Sequence, residues 1–98
     1  MKKKEIFDIC DQLGIVYEKQ DGFQNESLFY KDFCIAIIDN FGKDYFIYMN
    51  PSRIPKEIIE NGFLNTKNKI IDALNYKIKN IKEYEIMTRQ VELETDFD

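Results

Sequence analysis

The chain contains no histidine and no tryptophan, and it has only four glycines, two prolines and two cysteines. Each shortage removes a class of chemistry. Without imidazole the commonest general base is missing, and with it every Ser-His or Cys-His nucleophile pair and the zinc sites built on His and Cys. Gly14, Gly22, Gly42 and Gly62 stand far apart, so no glycine-rich loop can cradle a phosphate and each reads as punctuation between elements. No acid has a lysine two positions beyond it, which is the spacing a metal-dependent nuclease would use on a strand. Asp39 and Asp44 flank a hairpin loop, where acids usually keep the loop in water rather than hold a cation. The sequence therefore predicts no catalytic residue, no metal site and no cofactor.

Long apolar runs are missing too. No window reaches the 18 uninterrupted apolar residues of a membrane span, and "MKKKEIFDICDQLG" lacks the apolar core of a secretion signal because Glu5, Asp8 and Asp11 interrupt it. Cys10 and Cys34 each lie in an apolar pattern with no neighbour at metal-ligand spacing, so both read as buried thiols rather than as a disulfide. Together these features predict a cytoplasmic protein, located in the host cytoplasm if a phage encodes it.

What is present suits one small globular domain spanning residues 1 to 98. The chain is 44% apolar and 33% charged with a net charge of -4, too apolar for a disordered segment and long enough for a modest core. Ile6, Ile9, Cys10 and Leu13 recur at helical spacing, and Gly14 follows as a stop. From Ile15 the period shortens. "IVYEK", "LFYKDFCIAIIDN" and "DYFIYMN" read as three antiparallel strands separated by the turn chemistry of "QDGFQNES" and a loop through Asn40 and Gly42. In the middle strand both alternating sets are apolar, which predicts a strand covered on both faces, by helices or by a partner protein.

"NPSRIPKEIIENGF" then predicts a short helix with Pro55 in its first turn and Asn61-Gly62 at its end. Thr66 suits an N-cap for a long final helix whose stripe is Ile71, Leu74, Ile78 and Ile81, prolonged by Tyr84, Met87 and Val91. The fold class is α+β: a helix, a three-stranded antiparallel sheet, a short helix and a long C-terminal helix.

Charge is segregated along that last helix. Residues 67 to 82 hold five lysines and one acid, whereas residues 83 to 98 hold six acids and one arginine. The lysines do not form one stripe and no arginine joins them, so they read as a solvated helix face; a nucleic-acid-binding regulator using residues 67 to 82 is the alternative. The acids oppose the helix dipole, and local ion pairs leave most of them unmatched. Residues 92 to 98 read as an acidic tail. In extended form, "VELETDFD" would space its charges about 6.6 Å apart, close to the phosphate spacing of a nucleic-acid strand. Tyr17, Phe23, Phe29, Tyr30, Phe41, Tyr45 and Tyr48 lie in or beside the strands, and of these Phe23, Tyr30, Phe41 and Tyr48 are expected nearest the surface. Tyrosine and phenylalanine are frequent interface anchors.

A small acidic chain rich in Lys, Asn and Ile, with one helix, a three-stranded sheet and two further helices, resembles the compact type II-A anti-CRISPR proteins of phages. That resemblance implies a phage or mobile-element inhibitor that presents acids where DNA would sit on an RNA-guided nuclease. A second stretch, "NGFLNTKNKIIDALNYKIKNI", is similar to helix starts in many small bacterial and phage domains of diverse role. The resulting expectation is a non-enzymatic protein that binds a partner with a basic surface. Its contact residues would be Asp39, Asp44, Tyr48, Glu83, Glu85, Glu92, Glu94, Asp96 and Asp98. Direct nucleic-acid binding is not expected, and a homodimer formed through the apolar sheet is the third reading.

Overall fold

A computed structural model describes residues 1–50, 54–58 and 62–96, with side chains as far as residue 87. The architecture is α+β, with two helices against a five-stranded sheet. Helix α1 spans Lys3–Leu13, strands β1 to β4 span Val16–Lys19, Glu26–Tyr30, Phe33–Phe41 and Asp44–Tyr48, β5 is Phe63–Leu64, and helix α2 spans Lys67–Asp96. The sheet order is β1-β2-β3-β4-β5, with every neighbouring pair antiparallel.

The expected three strands are five. "LFYKDFCIAIIDN" is not one strand but two, folded back at Lys31-Asp32. A two-residue hairpin loop needs left-handed backbone, usually supplied by glycine or asparagine. Here Lys31 adopts it with φ 55°, so the usual turn signal is absent from the sequence. The next hairpin, through Gly42 at φ 62°, follows the ordinary rule. The fifth strand is only two residues long and follows directly on Asn61-Gly62, the end expected for a short helix. Within that expected helix, residues 56 to 58 form a turn closed by the Ile58 N–H donating to the Pro55 carbonyl at 3.0 Å. Residue 61, the expected helix end, lies outside the described residues.

Both helices lie on one face of the sheet. Ile6, Ile9 and Cys10 of α1 join Ile70, Ala73, Leu74, Ile78 and Ile81 of α2 in a single core with Leu28, Ala36, Ile38, Ile47 and Leu64. Register explains which strand residues point there: Tyr17 pairs with Leu28, Leu28 with Ala36, Ile38 with Ile47, and Ile47 with Leu64. Directly paired residues share a face. On α2 the buried set is Ile70, Ala73, Leu74, Ile78 and Ile81, while Ile71 is only half-buried at the rim. Gly14 ends α1 in the left-handed conformation expected of a C-terminal glycine, at φ 72°. The Thr66 carbonyl accepts the first α-helical bond of α2 from Ile70, at 3.0 Å, as an N-cap residue should.

Two contacts position α1. The Phe7 and Tyr17 rings stack at 4.1 Å, and Lys3 Nζ meets Glu26 Oε2 at 2.6 Å while lying 5.7 Å from the centroids of both Phe7 and Tyr45. The Lys3–Glu26 pair is mostly shielded from water, unlike the exposed lysines at positions 2 and 4.

Candidate binding face

The second face of the sheet carries no helix among the described residues. Its strand positions follow from the same register, read on the alternate residues. Val16 and Glu18 lie there on β1, Ser27 and Phe29 on β2, Cys34, Ile37, Asp39 and Phe41 on β3, Asp44, Phe46 and Tyr48 on β4, and Phe63 on β5. The apolar residues on both faces of β3 therefore have different surroundings. Ala36 and Ile38 are buried under the helices, whereas Ile37 is half-buried and Phe41 is 84% exposed. Helices of this chain cover β3 on one face, and on the other no helix lies among the described residues.

A bulge in β3 shapes this face. Ser27 pairs with Ile37 and Leu28 with Ala36, but Phe29 pairs with Cys34, so Ile35 is the extra residue. A bulge turns two consecutive side chains toward one side, and Ile35 and Ala36 are both buried. Its consequence is to aim Cys34 outward, where the thiol is exposed and free, contrary to the buried thiol that the sequence predicts. Cys10 follows expectation: it is fully buried, and burial first, then the neighbouring Asp11 charge, push its thiol up from 9.0 to about 12.

The aromatic rings gather at the β4–β5 side. Phe63 lies 5.1 Å from Tyr48 and 5.6 Å from Phe46, centroid to centroid, both tilted. Phe63 is 62% exposed and Tyr48 38% exposed. With Phe41 they leave roughly 300 to 450 Å² of aromatic surface in water, given that such side chains carry about 150–250 Å² each. Exposed apolar area of that order is often functional even on a monomer. At the other side, the β1–β2 loop leans over the sheet and forms a groove lined by Phe23, Asn25, Ser27, Ile37 and Asp39. Asn25 Nδ2 donates to Asn40 Oδ1 at 2.8 Å and fastens that loop to β3.

Charge at the strand positions of this face has one sign. The charged strand positions there are Glu18, Asp39 and Asp44, and no lysine or arginine stands among them. Asp39 accepts from the Asn40 N–H at 2.8 Å, and Asp44 is 88% exposed with the chain's amino terminus 3.8 Å away.

Of the residues expected to form the contact site, the structure brings Asp39, Asp44 and Tyr48 onto this face. It does not bring the helix acids to them. Glu85 lies at the opposite end of the sheet, beside the β2–β3 turn, with its Oε2 2.6 Å from Lys31 Nζ. Glu83 is exposed on α2. The backbone at Glu92, Glu94 and Asp96 is helical, so successive acids are separated by about 200° of turn and 3 Å of rise rather than the extended 6.6 Å. The side chains of Glu92, Glu94 and Asp96, and the whole of Asp98, lie outside the described residues.

The lysines of α2 are dispersed as well. Lys67 borders a hollow with Glu5 and Asp8, Lys69 borders another with Lys56 and Glu57, and Lys77 reaches a third beside Cys34 and Tyr48. Among the described residues no group of His, Cys, Asp and Glu could hold a metal ion, and no helix is long and apolar enough to cross a membrane. Phe46 and Phe63 are the candidate contact residues that sequence reasoning missed. Period-two alternation around Ile47 exposes Phe46, but nothing in "ENGFLN" marks a two-residue strand.

Comparison of the chain with family models, with curated proteins and with solved structures finds no match.

Proposed function

We propose that this chain is a non-catalytic binding protein that docks through its helix-free sheet face onto a basic protein surface. One observation carries the reading: that face combines exposed aromatic rings with three carboxylates, and its strand positions hold no lysine or arginine. Arginine and lysine side chains suit such a surface, because their cations stack on aromatic faces and pair with carboxylates at the rim. Single-stranded nucleic acid also stacks on aromatic sheets, but its phosphates would meet Glu18, Asp39 and Asp44.

Proteins that handle nucleic acids offer basic channels of this kind, and an acidic, aromatic protein lodged in one would exclude the nucleic acid. Inhibition of such a protein is the functional form we favour, and an RNA-guided nuclease is the specific partner implied by the resemblance to phage inhibitors. The exposed rings alone fall short of the roughly 800 Å² per partner of a stable interface. A complete footprint would therefore take in the half-buried Phe29, Ile37 and Phe46 and the groove beneath the β1–β2 loop.

The test is titration of the labelled protein with an arginine-rich peptide, followed by amide chemical shifts. We expect perturbations on β3, β4 and β5 around Asp39, Phe46, Tyr48 and Phe63, weakened in Tyr48→Ala and Asp39→Asn and reduced by salt. Perturbations confined to the acids of α2, or none at all, would overturn the reading.

A further inference from the structure

We infer that the groove beneath the β1–β2 loop is a pocket for one arginine side chain of the partner protein, a claim that rests on the sheet-face reading and names the contact that selects the partner.

The groove is built around a polar side chain that the fold leaves without a partner. Ser27 is 3% exposed and is the one polar residue in the buried set, yet its hydroxyl makes no hydrogen bond among the described residues. Buried hydroxyls nearly always have a partner, and leaving one without is costly. Register places Ser27 on the helix-free face, paired with Glu18 on β1 and Ile37 on β3. With Ile37 it forms the groove floor, below Phe23, Asn25 and Asp39.

The charged groups beside that hydroxyl are both acids. Glu18 stands directly opposite on one side, about 4.5–5.5 Å away between Cβ atoms, and Asp39 is the diagonal neighbour on the other, at about 7 Å. Asp39 accepts from the Asn40 N–H with one carboxylate oxygen, and its other oxygen has no partner among the described residues. The Asn25 amide gives its Nδ2 to Asn40 Oδ1, and its own oxygen is likewise without a donor among them. No lysine or arginine lines the groove. Two carboxylates, a hydroxyl and an amide oxygen call for a ligand that is positively charged and rich in N–H groups.

The ring selects a guanidinium over an ammonium. Phe23 is 53% exposed at the groove edge, where its N–H donates to the Gln20 carbonyl at 3.1 Å. A guanidinium plane stacks on such a ring and reaches two acceptors with one fork of N–H groups, whereas an ammonium is a compact, strongly hydrated point charge. The apolar Ile37 suits the methylenes of the arginine stem. At about 290 Å³ the groove falls just under the roughly 300–1,000 Å³ of sites that enclose a drug-sized ligand. It fits a side chain. The links from Asn25 to Asn40, and from Asn40 Nδ2 to the Gly42 carbonyl at 2.9 Å, hold the loop in place before anything binds, which lowers the ordering cost of binding.

Amide chemical shifts of the isotope-labelled full chain test this during titration with a short glycine-rich peptide carrying one arginine, against the same peptide with lysine in that place. The arginine peptide should perturb Phe23, Asn25, Ser27 and Asp39 and bind about fivefold more tightly than the lysine one. Ser27→Ala should weaken arginine binding about tenfold. It should leave the melting temperature unchanged or raised, because the hydroxyl has no partner to lose in the free protein. Phe23→Ala, on the exposed loop, should weaken binding about threefold. Equal binding of the lysine peptide, or arginine binding indifferent to both substitutions, overturns the inference. The wider reading fails separately. An arginine-rich peptide that perturbs Phe46, Tyr48 and Phe63 but ignores Ser27→Ala keeps the face and strikes the pocket, whereas groove shifts with β4 and β5 silent keep the pocket and strike the wider face.

Discussion

Lys31 and Glu85, fifty-four positions apart in the chain, meet at 2.6 Å and tie the tip of the β2–β3 hairpin to the point where α2 leaves the sheet. The pair is partly exposed, so its worth is that of a surface ion pair, about 0.2–1 kcal/mol. Lys31 also holds a left-handed backbone that costs a side-chain-bearing residue roughly 1–2 kcal/mol. Glu85→Gln should therefore lower stability by less than about 1 kcal/mol, and by less still in high salt. Lys31→Asn, which loses the pair but suits the backbone, should leave stability equal or higher. Urea denaturation of the two variants checks both signs.

Gly62 is needed for want of space rather than for its dihedral freedom. A Cβ there would stand 2.5 Å from Tyr48 Cε2 and 2.6 Å from the Met49 carbonyl oxygen, while the Gly62 carbonyl accepts from the Met49 N–H at 2.8 Å. Gly62→Ala should cost about 1–3 kcal/mol. It should also displace β5, so chemical shifts of Tyr48 and Phe63 would move together. A stability change below about 0.5 kcal/mol would show that β5 is not held against β4 as described.

The two thiols should differ sharply toward reagents. In the folded protein a thiol-specific probe should label Cys34 and spare Cys10, which it should reach only after denaturation. The raised Cys10 thiol also sets a sign for alkaline stability. Its native form keeps the proton up to about 12 while the unfolded form releases it near 9. The unfolded state thus binds fewer protons in that window, so stability should fall as pH rises from about 9 toward 12, by at most about 1.4 kcal/mol per pH unit. Cys10→Ala should flatten this part of the decline, although the cavity it leaves lowers stability at every pH.

Lys3 holds a carboxylate that would otherwise lack a cation in a shielded place. Lys3→Ala strips Glu26 Oε2, which is buried, of its 2.6 Å partner and removes the cation between Phe7 and Tyr45. The expected loss is about 1–3 kcal/mol. Lys4→Ala, one position along on an exposed side, should change stability by less than about 0.5 kcal/mol.

Periodicity made α1 and the long α2 legible, because eleven and thirty residues of repeating apolar spacing leave few alternatives. The two missed strands were hidden for separate reasons. A lysine at Lys31 carries no turn signal, and β5 is two residues recruited by pairing with Ile47 and Tyr48 rather than by propensity of its own. Asp39, Asp44 and Tyr48 were legible as candidates because a hairpin with exposed alternate positions displays them. Their separation from Glu85 was not, since it depends on where α2 crosses the sheet. The exposure of Met87 is likewise a tertiary fact: Tyr84 and Met87 both prolong the apolar stripe in sequence, yet Tyr84 meets the Phe33 ring edge-on while Met87 is 65% exposed.

The strand order matches the chain order throughout, and this bears on how quickly the protein assembles. β2, β3 and β4 are joined by two-residue turns, so the three central strands can zip together with little loop-closure entropy before either helix docks. The β1–β2 connection takes six residues, and the return from β4 to β5 spans the longest gap, fourteen. Mutations at that junction should thus hasten unfolding and leave the refolding rate nearly unchanged, the kinetic mark of an edge that closes last.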